Sequence, residues 1–194
     1  MKNCRVSCWP SPFCLQAILF CFQLLRTDAT TQRPLTRIAF GSCSDPDLEQ
    51  ERIFGRVNAF DPDAWIWLGD IVYADRFAGF PKRERSLEEL RSKWTRQKAM
   101  PAYSKLRERA IVLGITDDHD TTMNDADMHN PLKEFAREQR LQFLDEPHES
   151  ARWTQASGVN ASYVFGPAGQ RVKVILLDHR WHHDRARRVF LPDE

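Results

Sequence analysis

The stretch AIVLGITDDHDTTMND, residues 110–125, joins a short apolar run to a dense group of acids. The apolar part has the length and β-branched content of a buried strand. TDDHD, residues 116–120, follows at once and places three carboxylates around His119. Carboxylates this close raise one another's pKa unless a cation lies among them or solvent screens them. A metal site and a solvated loop are the two interpretations, and the preceding strand favours the metal site.

Three further apolar runs have a similar composition, and each ends in polar residues. They are RIAFGSCS (37–44), AWIWLGD (64–70) and RVKVILLDHR (171–180). The segments between the runs carry helical spacing of apolar residues. Strands that alternate with helices predict an α/β layered fold.

Short sequence motifs predict where several helices and strands begin or end. Ser86 and Glu89 form a capping-box pattern that predicts a helix start. Asn130 as the cap and Pro131 in the first turn predict another helix. GPAG, residues 166–169, separates two strand-like runs and predicts a hairpin. The many arginines of the helices are predicted to lie on solvated faces.

The composition narrows the class of protein. The chain has 194 residues, enough for about one domain, with 28 Lys and Arg against 27 Asp and Glu. This balance, without a basic patch, argues against a nucleic-acid or acidic-surface binder. The acidic group around His119 is therefore a local feature of the sequence.

The N-terminus has the features of a targeting segment. A basic start precedes an apolar core at residues 13–25, which is shorter than the ~20 residues of a membrane span. We predict a signal peptide over residues 1–29, a secreted protein and no transmembrane segment; an uncleaved leader is the alternative. Cys43 is the one cysteine of residues 30–194. It is predicted to be either a buried small residue or a metal ligand.

The polar residues at the strand ends are the candidate site, because functional groups of α/β folds gather at the carboxyl ends of strands. Asp70 follows Gly69 and suits a hard metal ion, a catalytic acid or a turn cap. Carboxylates and the imidazole of His119 are typical ligands of Zn, Mn and Fe, and a histidine among acids also suits general acid catalysis.

Other polar residues near these strand ends fit ordinary loops. Tyr73 and Asp75 are more typical of a solvated loop than of a site. Asn124 is either a ligand or a turn residue. DHRWHHD, residues 178–184, is predicted to be a polar loop after a core strand, since adjacent histidines on a strand point to opposite faces.

Five motifs in order resemble the alkaline phosphatase D (PhoD-like) family of calcineurin-like metallophosphoesterases. They are FGSCSD, WLGDIVYAD, TDDHDTTMNDA, LQFLDEP and SYVFGPAGQRVKVILLDHRWHHD, and they cover residues 37–184. The resemblance implies an α/β sandwich with a multi-metal centre, iron with calcium, that hydrolyses phosphate esters, typically diesters. It implies metal ligation by Cys43, Asp70 and Asp118, and a catalytic His119 that steadies the phosphoryl oxygen or the leaving group.

The sequence also departs from the family pattern. Ile71 replaces a polar residue after Asp70, Ile115 replaces a tryptophan, and residues 121–123 replace a Tyr-Gly step. The later His and Asp ligands of the family have no counterpart. We therefore expect residues 30–194 to be the N-terminal portion of the domain, a sandwich truncated at its C-terminal half. The alternative is a catalytically incomplete half-domain that acts as a binding or assembly partner of another chain.

Overall fold

The structure of the chain, a computed structural model, describes residues 33–75, 86–187 and 189–190. The predicted signal peptide, residues 1–29, lies outside the described residues. Inter-residue contacts divide the described residues into two units. The smaller contains residues 33–34 and Tyr163–Lys173, and the larger contains the rest.

The secondary structure is mixed α/β, as the alternating pattern predicts. The strands are β1 (Ile38–Gly41), β2 (Ala64–Trp67), β3 (Ile111–Gly114), β4 (Ala161–Phe165), β5 (Val172–Leu176), β6 (His183–Asp184) and β7 (Val189–Phe190). The helices are α1 (Glu51–Phe60), α2 (Leu87–Ala99), α3 (Pro101–Arg107) and α4 (Lys133–Phe143), with 3₁₀ turns at His119–Thr121 and Ala151–Trp153.

The first three strands form one parallel sheet in the order β1-β2-β3. Trp65 of β2 pairs with Ala39 on one side and with Val112 on the other. Parallel pairing brings the carboxyl ends of all three strands to the same edge of the sheet. The α/β prediction is therefore confirmed, and the polar residues that follow these strands share one edge.

The core surrounds the central strand. Parallel strands covered on both faces are apolar along their whole length, and AWIW of β2 has this character. Trp67 packs edge-on against Phe54 of α1, Tyr103 of α3 and Phe143 of α4. Its indole N–H donates to the Tyr103 hydroxyl over 3.0 Å, so this buried polar group is satisfied. Aromatic contacts thus hold three helices on the sheet.

Two predicted helix starts have different outcomes. The capping box of Ser86 and Glu89 is present, with both reciprocal hydrogen bonds. The predicted start at Asn130 is wrong by about one turn, because α4 begins at Lys133 with Leu132 as its N-cap. Asn130 instead accepts from the Leu132 N–H, and its amide donates to the Thr121 carbonyl. It forms a turn before the helix.

The prediction that the helical arginines lie on solvated faces is wrong for α4. Arg137 and Arg140 are 6% and 2% exposed. Arg137 donates to the carbonyls of Trp153 and Gln155, both over 3.1 Å. A guanidinium offers five donors, so it can satisfy the carbonyls of an irregular segment that packs against the helix.

The hairpin prediction is confirmed, since β4 and β5 form a two-stranded sheet around GPAG. Gly166 has φ of +93°, and a Cβ there would lie 2.3 Å from the Gln170 carbonyl oxygen. Only glycine suits this turn. None of the helices in the described ranges is long and apolar enough to cross a membrane.

Candidate metal centre

The backbone at the carboxyl edge of the sheet is strained at two neighbouring points. Cys43 after β1 and Asp70 after β2 have φ of +57° and +50°. Such left-handed conformations cost about 1–3 kcal/mol each in non-glycine residues and cluster at functional sites. Gly69 has φ of +106°, and a Cβ there would lie 2.6 Å from Cβ of Asp117. Glycine therefore allows the loop after β2 to approach the loop after β3.

Asp70, Asp118 and His119 converge at this edge. Each offers one ligand atom, and these atoms lie within 4.8 Å of one another. All three residues are buried, with 6 to 8% of their surface exposed. Two carboxylate oxygens and an imidazole nitrogen are a suitable set for a divalent or trivalent metal ion. The structure thus brings together three of the four predicted site residues as a group that could hold a metal.

The Asp70 carboxylate has the surroundings of a ligand. Within the described part of the chain, its Oδ1 is buried and has no hydrogen-bond partner. The Tyr73 hydroxyl donates to this carboxylate. Burial and the negative charge of Asp117 raise the pKa of Asp70 above its ordinary value. A cation bound at Oδ1 would relieve both costs, so these residues fit a metal ion.

Cys43 lies beside this group. Its Sγ is 3.8 Å from Oδ2 of Asp70. The cysteine is exposed, so the prediction of a buried small residue is wrong. The thiol thus lies beside Asp70, on the left-handed turn after β1, and not in the core. Its role as a ligand stays a prediction.

His119 is oriented by two residues of the loop after β2. Its Nδ1 is 2.7 Å from Oδ1 of Asp75, and its ring lies 4.4 Å from the ring of Tyr73. The prediction that Tyr73 and Asp75 are solvated loop residues is therefore wrong. A carboxylate on one ring nitrogen fixes the tautomer and leaves Nε2 for a ligand or a substrate. No spacing in the sequence marks this pair, since Asp75 and His119 are 44 residues apart.

The Asp118 carboxylate is held from two sides. Its Oδ2 accepts from the Asp125 N–H over 2.6 Å, and its Oδ1 lies 3.3 Å from Nη2 of Arg180. Left-handed backbone at Thr122 and Asp125 turns the loop back onto Asp118. Asn124 is exposed and donates to the Asp125 carboxylate, as expected of a turn residue.

Asp117 has different partners from Asp118, although the two are adjacent. Its Oδ1 accepts from Nε of Arg180 over 2.7 Å and lies 3.1 Å from Nε2 of His179. Burial opposes ionisation, but these hydrogen bonds outweigh it and hold the pKa of Asp117 well below its usual range. The hydrogen bond to Asp117 raises the pKa of His179. The prediction of a polar loop over residues 178–184 is wrong for His183–Asp184, which form β6, and it does not include the contacts of His179 and Arg180 with Asp117.

Asp120 supports the site without joining it. It is completely buried, and its two oxygens accept from the N–H groups of Val72 and Asp117 over 3.0 and 3.2 Å. Burial raises the pKa of Asp120 to about 7. This side chain therefore ties the loop after β2 to the loop after β3, and it is a positioning residue.

Comparison with known proteins adds no assignment. No family model matches the sequence, and a search of curated proteins finds no significant match.

Proposed function

We propose that this chain is a secreted, metal-dependent hydrolase of phosphate esters of the PhoD-like type. The observation that carries the proposal is that ligand atoms of Asp70, Asp118 and His119 lie within 4.8 Å of one another at the carboxyl edge of a parallel sheet. The unpartnered Oδ1 of Asp70 supports a cation there. The resemblance of the surrounding motifs to phosphoesterases supports the choice of substrate.

Each residue has a distinct task in this proposal. Asp70 and Asp118 would hold the metal, with Cys43 as a further ligand. When bound, the metal would neutralise the phosphate and lower the pKa of a water that acts as the nucleophile. His119 would steady a phosphoryl oxygen or protonate the leaving oxygen through Nε2, because Asp75 occupies Nδ1. Iron with calcium is the metal pair that the resemblance implies.

The test is hydrolysis by the metal-loaded chain. Bis(p-nitrophenyl) phosphate serves as the diester probe and p-nitrophenyl phosphate as the monoester probe, with iron and calcium supplied together and Mn²⁺ and Zn²⁺ supplied singly. Metal content is measured on the same samples by mass spectrometry. We expect turnover with at least one of these metals and its loss in Asp70→Asn and His119→Gln, with secondary structure retained.

A matched control is available at the other end of the sheet. Asp61 precedes β2, has φ of +53° like Asp70, and pairs with Arg37 and Arg109 at the surface. Asp61→Asn therefore changes an aspartate in the same backbone conformation, and turnover should stay at the wild-type level. Full activity in Asp70→Asn would overturn the site assignment.

A second candidate function, binding to another chain, is favoured by an exposed apolar groove. The groove has a volume of about 520 Å³ and lies between β1 and α1. Phe40, Leu48 and Ile53 line it and are 63 to 67% exposed. Exposed apolar patches of this kind mark interaction surfaces. A stable mixed assembly isolated from the source, together with metal-loaded protein that lacks turnover, would favour this candidate over the first.

A further inference from the structure

Lys93 of α2 is completely buried, with 0% of its side chain exposed. Its Nζ lies 2.8 Å from the Tyr73 carbonyl oxygen, 2.9 Å from Oδ2 of Asp47 and 3.2 Å from Oδ1 of Asp45. An ammonium group has three N–H donors, and these three oxygens match that number. Lysine is almost never fully buried unless its charge is paired, so these contacts explain how the fold tolerates it.

The three oxygens belong to two loops of the candidate metal centre. Asp45 and Asp47 lie in the loop after β1, and Tyr73 lies in the loop after β2. The two loops also bond each other directly, because the N–H of Ser44 donates to the Asp70 carbonyl over 2.8 Å. The buried ammonium therefore connects α2 to both loops beside the point where they meet.

The contact with Tyr73 leads to two of the candidate ligands. The peptide group between Tyr73 and Ala74 accepts from Lys93 through its carbonyl, and its N–H donates to the His119 carbonyl over 3.2 Å. The Tyr73 hydroxyl donates to the Asp70 carboxylate, and the Tyr73 ring lies 4.4 Å from the ring of His119. Lys93 thus fixes the backbone of a residue that contacts both Asp70 and His119.

We propose that Lys93 is a positioning residue of the metal centre, which holds the loops after β1 and β2 in the arrangement that metal binding requires. This inference rests on the proposed function, because it assigns Lys93 a role in that centre. Buried ion pairs can often be replaced by well-packed apolar side chains without loss of stability. The effect of Lys93 is therefore expected in the geometry of the loops more than in the stability of the fold.

The double variant Lys93→Met/Asp45→Asn separates these two effects. It removes one cation and one anion together, so that the net charge of the buried group is unchanged. Asp47 keeps its ion pair with Arg96 over 2.6 Å, and Asp45→Asn retains an oxygen that can accept from the Asp47 N–H. We expect the Tm of the double variant to lie within about 3 °C of the wild type, whereas Lys93→Met alone lowers it further.

Amide hydrogen exchange, measured by NMR on the full chain without metal, reports the loop geometry. The N–H groups of Ser44 and Ala74 should exchange at least about tenfold faster in the double variant than in the wild type. Ile115, whose N–H donates to the Trp67 carbonyl over 3.0 Å, should keep its wild-type rate. Unchanged exchange at Ser44 and Ala74 would overturn the proposal. An equal acceleration at Ile115 would also overturn it, because Lys93 would then stabilise the fold as a whole.

Isothermal titration calorimetry with Mn²⁺ tests the consequence for the metal centre. The double variant should bind Mn²⁺ about 10- to 100-fold more weakly, as is usual when an outer partner of metal ligands is removed. An affinity equal to that of the wild type would overturn the proposal. A wild-type chain that binds no Mn²⁺ would contradict the proposed function instead, and the metal-free exchange rates would still decide whether Lys93 holds the loops.

Two control variants complete the test. Lys98→Met changes another lysine of α2, whose Nζ lies 2.6 Å from the Gln142 carbonyl and 2.5 Å from Oδ1 of Asp145. It should leave the Mn²⁺ affinity and the exchange of Ser44 unchanged. Asp45→Asn alone keeps Lys93 and should retain most of both properties. A loss in Asp45→Asn as large as in the double variant would assign the effect to Asp45 and overturn the role of Lys93.

Discussion

Asp70 and Asp117 follow neighbouring parallel strands, yet their carboxylates are stabilised in opposite ways. Asp117 is paired with Arg180 and His179, and its side chain is 30% exposed. Asp70 is 6% exposed, and its Oδ1 has no partner in the described part of the chain. The pKa of Asp117 is lowered and that of Asp70 is raised.

This difference distinguishes a structural carboxylate from a candidate ligand. Ionised Asp117 stabilises the fold through its hydrogen bonds to Arg180 and His179. Ionised Asp70 destabilises the metal-free fold, because burial penalises its charge. A cation bound at Oδ1 would offset that cost. Adjacent acidic residues in a sequence can therefore have different roles. The role of each depends on whether the folded chain provides a partner for its carboxylate.

The largest loss of stability is expected on removing the Asp120 side chain, because it connects the loop after β2, which carries Asp70, to the loop after β3, which carries Asp117. Asp120→Ala leaves the N–H groups of Val72 and Asp117 without acceptors. We expect the free energy of unfolding to fall by about 2 to 4 kcal/mol. Urea denaturation of the metal-free chain measures this. A loss below about 0.5 kcal/mol would contradict the positioning role.

The pH dependence of stability gives a second test of Asp120. Its pKa rises from 3.8 to about 7 on folding, so the folded state keeps a proton that the unfolded state has released. The free energy of unfolding should therefore decrease from about pH 4 to about pH 7, by at most about 1.4 kcal/mol per pH unit, and level off above. Asp120→Asn should flatten this slope. Parallel curves for the two proteins would contradict the assignment.

Neutralising Asp70 and Asp117 in turn tests the comparison directly. Asp70→Asn should weaken Mn²⁺ binding by more than about 100-fold, since even outer partners of metal ligands contribute about 10–100-fold. Asp117→Asn should weaken it by less than about tenfold. Isothermal titration calorimetry measures both affinities.

The metal-free proteins should respond in the opposite order. Asp70→Asn should raise the Tm, because it removes a buried charge, whereas Asp117→Asn should lower it, because it removes an ion pair. Equal responses of the two variants would remove the distinction between these carboxylates.

Arg180→Met should lower the stability of the fold less than Asp120→Ala does. The variant loses charged hydrogen bonds to Asp117 and Asp118 but keeps an apolar stem. We expect a loss of about 1 to 2 kcal/mol in the free energy of unfolding at pH 7. Arg185→Met is the control, because Arg185 forms an exposed pair with Asp125 and should change stability by less than about 0.5 kcal/mol.

The smallest effect is expected at Tyr73. Tyr73→Phe removes one hydrogen bond to Asp70 but keeps the ring against His119. Mn²⁺ affinity should change by about two- to fivefold, which corresponds to one ordinary hydrogen bond. Tyr163→Phe, on β4, should leave the affinity unchanged. A change as large as that of Asp70→Asn would make Tyr73 a ligand rather than a supporting residue.

The sequence by itself determined the architecture of the sheet and its polar edge. Apolar runs such as AWIW and IVLG mark buried strands, because only covered strands can be apolar along their length. Strands that are separated by helices in the sequence pair in parallel. This pairing places Asp70, Asp118 and His119 at the same edge of the sheet. The order of motifs also suggested phosphate-ester chemistry, which stays a proposal.

Only the tertiary structure decided which polar residues act together. The partnerships of Asp75 with His119 and of Arg180 with Asp117 span 44 and 63 residues, so no local pattern encodes them. Burial of Arg140 was likewise hidden, because a charged residue on a helix ordinarily lies on its solvated face. Hydrogen-bond partners and desolvation depend on segments that meet only in the folded chain, whereas strand and helix signals are carried by neighbours in sequence.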